Sequence, residues 1–362
     1  MESAKKTASF AAGTKKIVFF ILKLALAAGI VVYLISRNAD AVAEGFRTFN
    51  YWYLLPAALL YFSHMVVCGY RWYRLTRVLE IDITAAEAFS LTMQAYFFSL
   101  VVPGGAIGGD LVKIGVLSAR TPPGGKVEGA FTILMDRIVG MIAMFLTAIA
   151  VTIPAIPVLM KVEIPGVPLD HTLKVLGIAG IFVLCATGLA ASAAIFFHRT
   201  LQKIPGIGFL MAQADRWSHG MVTRMTAAAD LYRRNWRVTA QAIFWSIPLV
   251  HLMTVAVFGC LVAGLEADGA GILTVLAAVT IGNIVGLLPF FPAGVGGRDV
   301  ATITILVAGG MAAGEAKTAQ LLYTALIIAF NLFGGLFFII DPGRRKAAEF
   351  LKQAEANRVN QA

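Results

Sequence analysis

The chain has 362 residues, of which 59% are hydrophobic and 14% are charged. Soluble domains carry about a quarter charged residues, so this composition excludes an ordinary soluble protein and indicates a membrane protein. The net charge of +10 does not predict a nucleic-acid partner, because excess Lys and Arg in a hydrophobic chain usually marks cytoplasmic loops.

Apolar runs of about 20 residues recur along the chain and predict an all-α polytopic membrane protein. Uninterrupted spanning helices are predicted at 17–36, 51–70, 129–153, 173–197, 238–263 and 318–340. The first follows a short N-terminal segment (1–16) and is interpreted as a retained anchor rather than a cleaved signal peptide. The stretch 154–170 holds four prolines and is predicted to be an irregular outer loop.

Two further apolar stretches, 85–118 and 272–311, are interrupted by glycines and a proline. The interruptions read "PGGAIGGD" (103–110) and "PAGVGGRD" (292–299). Each stretch is predicted to form a helix, a break and a second short helix. The pair either turns back inside the membrane as a re-entrant hairpin or crosses it as two tilted helices, and both versions give the same topology.

Charge distribution predicts the orientation. With the N-terminus inside, 21 Lys and Arg residues fall in cytoplasmic segments and 5 fall outside. Arg71, Arg74 and Arg77 are counted here as residues of a cytoplasmic loop. The excess follows the positive-inside rule and predicts that both termini, including the C-terminal tail 342–362, are cytoplasmic in a bacterial-type inner membrane.

The two interruptions match each other at a constant offset of 189 residues, and an amide lies nine residues before each proline. The matched positions are Pro103, Gly105, Gly108, Asp110 and Gln94 in the first unit, and Pro292, Gly294, Gly297, Asp299 and Asn283 in the second. The units, centred on 85–153 and 272–340, enter the membrane from opposite sides. Inverted repeats with broken helices around a central cavity are typical of transporters. The alternative is that Gly and Pro allow packing and that each Asp caps a helix.

The N-terminus of each second short helix carries partial positive charge and free amides that suit an anion such as phosphate. Six charged residues lie in apolar surroundings, where charges usually face a cavity or each other. They are Asp110, Lys113, Asp136, Arg137, Arg298 and Asp299. Asp110 and Lys113 are expected to pair on one helix face, whereas Asp136 and Arg137 point to different neighbours. Either Arg137 and Arg298 face a lipid phosphate, or all six form structural ion pairs.

The stretch from about 207 to 236 has apolar residues at helical spacing with basic residues between them, which predicts an amphipathic helix on the inner membrane face. It serves either as a connector or as a surface for anionic head groups. No metal-ligand spacing, nucleotide-binding loop or catalytic constellation occurs in the sequence. We therefore expect no metal, no cofactor and no enzymatic activity.

Three separated segments, "VVPGGAIGGDLVKIGVLSAR", "ILMDRIVG" and "LLPFFPAGVGGRDVATITIL", resemble the flippase-like membrane domain of lysylphosphatidylglycerol synthases. The resemblance covers about residues 17–341. It implies two inverted sub-bundles with re-entrant helices, a central cavity and transfer of a lipid between leaflets. The chain departs from the synthases in lacking their soluble aminoacyltransferase domain, and it has Asp299 where the family commonly has glutamate.

The sequence thus predicts a flippase that moves an anionic or aminoacylated phospholipid, or a lipid of the polyprenyl-phosphate type, between leaflets. Its expected partners are membrane lipids with anionic head groups; a homodimer and a separate lipid-synthesising enzyme are open alternatives. Two other functions also stay open at this point: a membrane-embedded lipid-modifying enzyme, and a transporter of a small soluble solute.

Overall fold

The computed structural model describes residues 39–101, 106–120, 126–164, 168–218, 220–267, 269–287 and 296–340. The predicted first helix (17–36) and both terminal segments lie outside these residues. In the described part, every regular element is a helix. Fourteen α-helices are numbered along it: α1 Ala39–Thr48, α2 Leu54–Thr76, α3 Ala85–Val101, α4 Ala106–Arg120, α5 Lys126–Leu159, α6 His171–Phe196, α7 His198–Leu201, α8 Pro205–Trp217, α9 Met221–Arg234, α10 Trp236–Ser246, α11 Met253–Gly264, α12 Ile272–Gly286, α13 Gly297–Ala308 and α14 Ala313–Ile340.

Five helical stretches of the described part are long and apolar enough to cross a membrane. They are Tyr51–Leu79, Val127–Leu159, His171–Phe196, Trp236–Gly264 and Ala313–Ile340. Each coincides with a span predicted from the sequence. The prediction of an all-α polytopic membrane protein is therefore confirmed.

The two interrupted stretches form two helical hairpins. In the first hairpin α3 packs against α4, and in the second α12 packs against α13. The four helices have 17, 15, 15 and 12 residues. At 1.5 Å per residue they are about 18–26 Å long, which is shorter than the hydrocarbon core of about 30 Å. Both stretches contain the two predicted helices, and the breaks between them (102–105 and 288–295) lie outside the described residues.

The helices contact one another in a recurrent pattern. The first hairpin contacts α14 through α3, and the second contacts α5 through α12. Likewise α2 packs on α3 and α5, while α11 packs on α12 and α14, and α2 and α11 pack on each other. Exchanging α2–α5 with α11–α14 leaves this set of contacts unchanged. A two-fold repeat would produce this pattern; the inverted orientation of the units stays a prediction.

Helix α5 is longer than predicted. It continues to Leu159 through Pro154 and Pro157, so the expectation of an irregular loop from residue 154 onward is wrong for residues 154–159. Membrane helices tolerate proline because neighbouring helices and local adjustments pair the freed carbonyls. Ala155 and Leu159 are buried in the main core, and this packing continues the helix past the prolines.

The predicted amphipathic stretch is divided into two helices, α8 and α9, at Gly220. This glycine has a φ of 83°, a left-handed conformation that glycine adopts without steric cost. Helix α9 packs against the bundle, because the buried Tyr232 donates a hydrogen bond to the carbonyl oxygen of Leu75 over 2.8 Å. Helix α8 instead exposes the large apolar residues Phe209, Leu210 and Trp217, as expected of a helix at a membrane surface.

Ion pairs fix the two ends of α9. Arg224 binds Glu128 at the start of α5 over 2.7 Å, and Arg199 binds Asp230 over 2.6 Å. The hydrogen bonds from Arg199 hold the pKa of Asp230 below its usual value. Helix α9 is therefore a fixed part of the bundle rather than a loose connector.

The helical conformation changes between α10 and α11. Residues Ile247–Leu252 form a π-helical segment, which joins α10 and α11 into the single spanning stretch Trp236–Gly264. Pro248 is the second residue of this segment, which packs against α5 and α2. Such segments are rare in helices and occur frequently at functional sites.

Close packing in the first hairpin depends on Gly109. A Cβ atom at this position would overlap the backbone carbonyl oxygen of Ala95. We expect Gly109→Ala to lower the free energy of unfolding by about 1–3 kcal/mol, because the two helices must move apart. The measurement is unfolding by sodium dodecyl sulfate in mixed micelles.

The matched control is Gly180→Ala in α6, where an added Cβ meets nothing within 4 Å. This change should leave the stability unchanged or raise it by up to about 1 kcal/mol, because alanine is the better helix former. Equal stabilities of the two variants would show that the hairpin does not depend on the contact at Gly109.

Candidate functional site

Charged residues of α2, α4 and α5 form a group that we call the first cluster. It consists of Arg71, Asp110, Lys113, Asp136 and Arg137. In the sequence these residues lie on three helices up to 66 positions apart. The fold brings them together because α5 packs against both α2 and α4.

Arg137 and Asp110 form a two-point ion pair between α5 and α4. Nε of Arg137 donates to Oδ2 of Asp110 and Nη2 donates to Oδ1, each over 2.9 Å. The side chain of Arg137 is nevertheless 47% exposed, although the residue lies inside an apolar spanning stretch. No hydrogen bond joins its Nη1 atom to any described residue. Asp110 thus binds the Nε and Nη2 edge of the guanidinium group, and the edge that carries Nη1 is open.

Arg71 and Asp136 form a second, buried ion pair. Nε of Arg71 donates to Oδ1 of Asp136 over 2.8 Å, and Nη1 donates to Oγ of Ser246 over 3.1 Å. The two charged side chains are 11% and 14% exposed. The guanidinium group lies close to the backbone of α5, since a Cβ at Gly140 would be in van der Waals contact with both Nη atoms at 3.4 Å.

This pair corrects the sequence analysis, which placed Arg71 in a cytoplasmic loop. Helix α2 runs on to Thr76, six residues beyond the predicted end. The extension is stabilised by Trp72 and Leu75, both of which are fully buried. The prediction that Asp136 and Arg137 bind different neighbours is confirmed, since Asp136 binds Arg71 and Arg137 binds Asp110.

Lys113 is buried against an aromatic ring. Its Nζ atom lies 3.6 Å from the ring centroid of Trp72, a cation–π contact. The indole nitrogen of Trp72 donates to Oγ1 of Thr132 over 3.1 Å. The expected ion pair between Asp110 and Lys113 is therefore wrong: the carboxylate turns to Arg137 on the neighbouring helix, and the ammonium group packs on the indole.

The net charge of the first cluster is positive. With all its groups ionised, it contains three cations and two carboxylates. The two pairs described above neutralise Arg71 and Arg137, so Lys113 contributes an uncompensated charge in an apolar environment. Such a site attracts an anion, because electrostatic interactions are strong where water is scarce.

A second cluster lies at the start of α13 and consists of Arg298, Asp299, Gln320 and Thr324. Oδ1 of Asp299 accepts hydrogen bonds from Arg298 over 3.1 Å, from Gln320 over 2.6 Å and from Thr324 over 3.3 Å. Nη2 of Arg298 also donates to Oγ1 of Thr324 over 3.0 Å. The side chains of Arg298 and Asp299 are only 10% and 5% exposed. The network joins α13 to α14.

Asp299 also caps its helix. Its Oδ2 atom accepts the backbone N–H of Gly296 over 2.9 Å, and Gly296 has a φ of 95° that favours glycine. A carboxylate at a helix start stabilises the exposed amides and the helix dipole. In the second hairpin, the carboxylate therefore both caps a half-helix and holds an arginine.

The other predicted site residues are distributed as follows. Gly108 and Gly297 are buried in the first turns of α4 and α13. Gln94 is buried in α3, where its amide donates to Ser90 over 3.2 Å, and Asn283 is partly buried in α12. The remaining predicted positions lie outside the described residues: Pro103, Gly105, Pro292 and Gly294.

Sequence reasoning missed several residues of the two clusters. Gln320 and Thr324 lie four positions apart in an apolar helix, a spacing that puts both on one face and that could have identified them. Ser246 has no comparable signal, because only the fold brings it to Arg71. In the part of the chain that the structure describes, no group of His, Cys, Asp and Glu side chains could hold a metal ion.

Comparison with known proteins identifies the family of the chain. Residues 20–335 match the family described as the lysylphosphatidylglycerol synthase TM region. No curated protein matches the chain. The family match spans most of the sequence and includes both hairpins and both clusters. The chain therefore belongs to the family of the lysylphosphatidylglycerol synthase TM region and is a multi-pass membrane protein with a lipid-related role.

Proposed function

We propose that the protein is a flippase, which moves an anionic or aminoacylated phospholipid, or a polyprenyl-phosphate-type lipid, between the leaflets of a bacterial-type inner membrane. Both termini are cytoplasmic in this proposal. The protein acts as a transporter rather than as an enzyme: the head group enters a polar cavity between the hairpins while the acyl chains stay in the bilayer.

The open edge of Arg137 is the observation that carries the proposal. The residue lies 11 positions after the start of α5, or about 17 Å along the helix axis. A charged group at this depth is costly unless it faces a polar partner or a water-filled cavity. Asp110 satisfies one edge of the guanidinium, and a phosphate oxygen is a suitable acceptor for the other.

Other features support the same proposal. The first cluster carries excess positive charge, which suits an anionic head group. The helix contacts of α2–α5 are repeated among α11–α14, as expected for the repeats of a transporter. The sequence has no nucleotide-binding loop, so we infer that a lipid gradient or the membrane potential drives transport.

The test is leaflet exchange in liposomes that contain the purified protein and fluorescent lipids with phosphatidylglycerol, lysylphosphatidylglycerol or polyprenyl-phosphate head groups. We expect Arg137→Gln to slow exchange by about 10- to 100-fold, since a hydrogen bond to a charged group contributes about 1.5–3 kcal/mol. Dithionite quenching of outer-leaflet lipids gives the rate.

Arg216→Gln is the matched control, because Arg216 lies exposed on α8 far along the chain from the cluster. It should exchange lipids at the wild-type rate. Absence of exchange by the wild-type protein for every lipid in the panel would refute the flippase. Chemical conversion of a lipid, lost in Arg137→Gln, would instead favour a lipid-modifying enzyme.

A further inference from the structure

Helix α2 carries a continuous polar face in an otherwise apolar span. The face consists of Tyr61, His64, Cys68 and Arg71, at spacings of three, four and three residues. Side chains at these spacings lie one above another on a helix. From Tyr61 to Arg71 the face extends about 15 Å, which is roughly half the thickness of the hydrocarbon core.

One end of this face belongs to the first cluster, through Arg71 and its partner Asp136. Next along the helix, Sγ of Cys68 lies 3.8 Å from Nε2 of His64. Tyr96 of the first hairpin packs against the main core, and its helix, α3, packs on α2. The polar face therefore meets the first cluster at Arg71.

The other end of the face reaches the second cluster. The ring of Tyr61 stacks on the ring of His64, with centroids 5.6 Å apart. Tyr61 also packs against Phe330 of α14 and belongs to the same buried core as Tyr323, whose ring centroid lies 5.4 Å from Cζ of Arg298. The face thus connects an arginine near each hairpin.

Two polar atoms of the face, one on His64 and one on Tyr61, make no hydrogen bond with the described residues. Nδ1 of His64 is buried and makes no hydrogen bond of ordinary geometry, although the backbone of Val250 lies near the ring. No hydrogen bond joins the hydroxyl group of Tyr61 to any described residue. A buried polar atom without a partner costs free energy, so Nδ1 of His64 points to a polar ligand, and the neighbouring hydroxyl group of Tyr61 is available to the same ligand.

We propose that Tyr61 and His64 form an intermediate binding site for the phosphate group of the lipid, between the two charged clusters. The proposal rests on the flippase function proposed above and adds the path that the lipid head group follows. The phosphate accepts hydrogen bonds from the Tyr61 hydroxyl and from an imidazole N–H of His64. The site lies between Arg71 of the first cluster and Arg298 of the second, so that the head group passes along α2 in two short steps.

The test compares leaflet exchange of fluorescent phosphatidylglycerol by full-length variants in liposomes. We expect His64→Leu to slow exchange about ten-fold and His64→Gln, which keeps a hydrogen-bonding side chain, to recover part of the rate. His171→Leu is the control, because His171 lies exposed at the start of α6; its rate should equal that of the wild type.

A second variant keeps the proposal testable if His64→Leu does not fold. Tyr61→Phe removes one hydroxyl group and keeps the ring contacts with His64 and Phe330. We expect it to slow exchange several-fold while size-exclusion chromatography shows an intact protein. Wild-type rates in Tyr61→Phe and in any folded His64 variant would overturn the intermediate site and leave the flippase standing. No exchange by the wild type would overturn both.

Discussion

Asp136→Asn is expected to destabilise the protein by about 3–5 kcal/mol, because it removes one charge from a buried ion pair and leaves the other without compensation. Arg71 would keep its hydrogen bond to Ser246 but lose the carboxylate that neutralises it. The asparagine has nearly the same volume as the aspartate, so a packing defect does not explain the loss. Unfolding by sodium dodecyl sulfate in mixed micelles measures the change.

A double variant separates the cost of an unpaired charge from the value of the pair. The free energy of unfolding of the double variant Arg71→Met, Asp136→Leu should lie within about 1 kcal/mol of the wild-type value or above it. Apolar residues often replace a buried ion pair without loss of stability. Asp40→Asn, an exposed position in α1, is the control and should change stability by less than about 0.5 kcal/mol. Equal stability of Asp136→Asn and this control would show that Arg71 reaches another partner.

The second large effect is expected at Asp299. Asp299→Asn should also lower the free energy of unfolding by about 3–5 kcal/mol, because Arg298 would then be buried without a carboxylate. The new NH2 group replaces one carboxylate oxygen, so it faces either the side-chain amide of Gln320 or the backbone N–H of Gly296, both of which are donors. The same unfolding assay applies, and loosening of α13 should appear as faster hydrogen exchange of its first amides.

Asp170→Asn provides the matched control for Asp299→Asn. Asp170 caps α6 by accepting the N–H of Leu173 over 2.7 Å, and asparagine is an equally good cap. Its replacement should therefore leave stability nearly unchanged. A similar loss in both variants would mean that capping, rather than the buried charge of Arg298, explains the effect at Asp299.

The helices of this protein could be predicted from the sequence because lipid leaves the backbone few alternatives. A run of about 20 apolar residues must pair its own amides and therefore forms a helix. The two helical hairpins were also predictable, because several glycines and a proline together interrupt each apolar run. Proline alone is not a sufficient signal, since α5 continues through Pro154 and Pro157. The matched motifs end at Asp110 and Asp299, and the structure pairs these carboxylates with Arg137 and Arg298.

The partners of the charged residues could not be predicted in the same way. Arg71 lies one residue beyond the predicted span, and its carboxylate partner is 65 residues away. Local spacing favoured Lys113 as the partner of Asp110, but the packing of α5 on α4 brings Arg137 to it instead. Which of several nearby charges pair depends on helix rotation, and an apolar pattern does not determine rotation to the required accuracy.

The π-helical segment Ile247–Leu252 has a consequence for comparing this chain with its relatives. An α-helix turns about 100° per residue, and a π-helical turn accommodates one residue more than an α-helical turn. The segment therefore sets the rotational phase between Ser246, which binds Arg71, and the buried face of α11 that follows. A relative with an uninterrupted α-helix here would have one residue fewer, and a sequence alignment would show it as a single-position gap within a spanning helix.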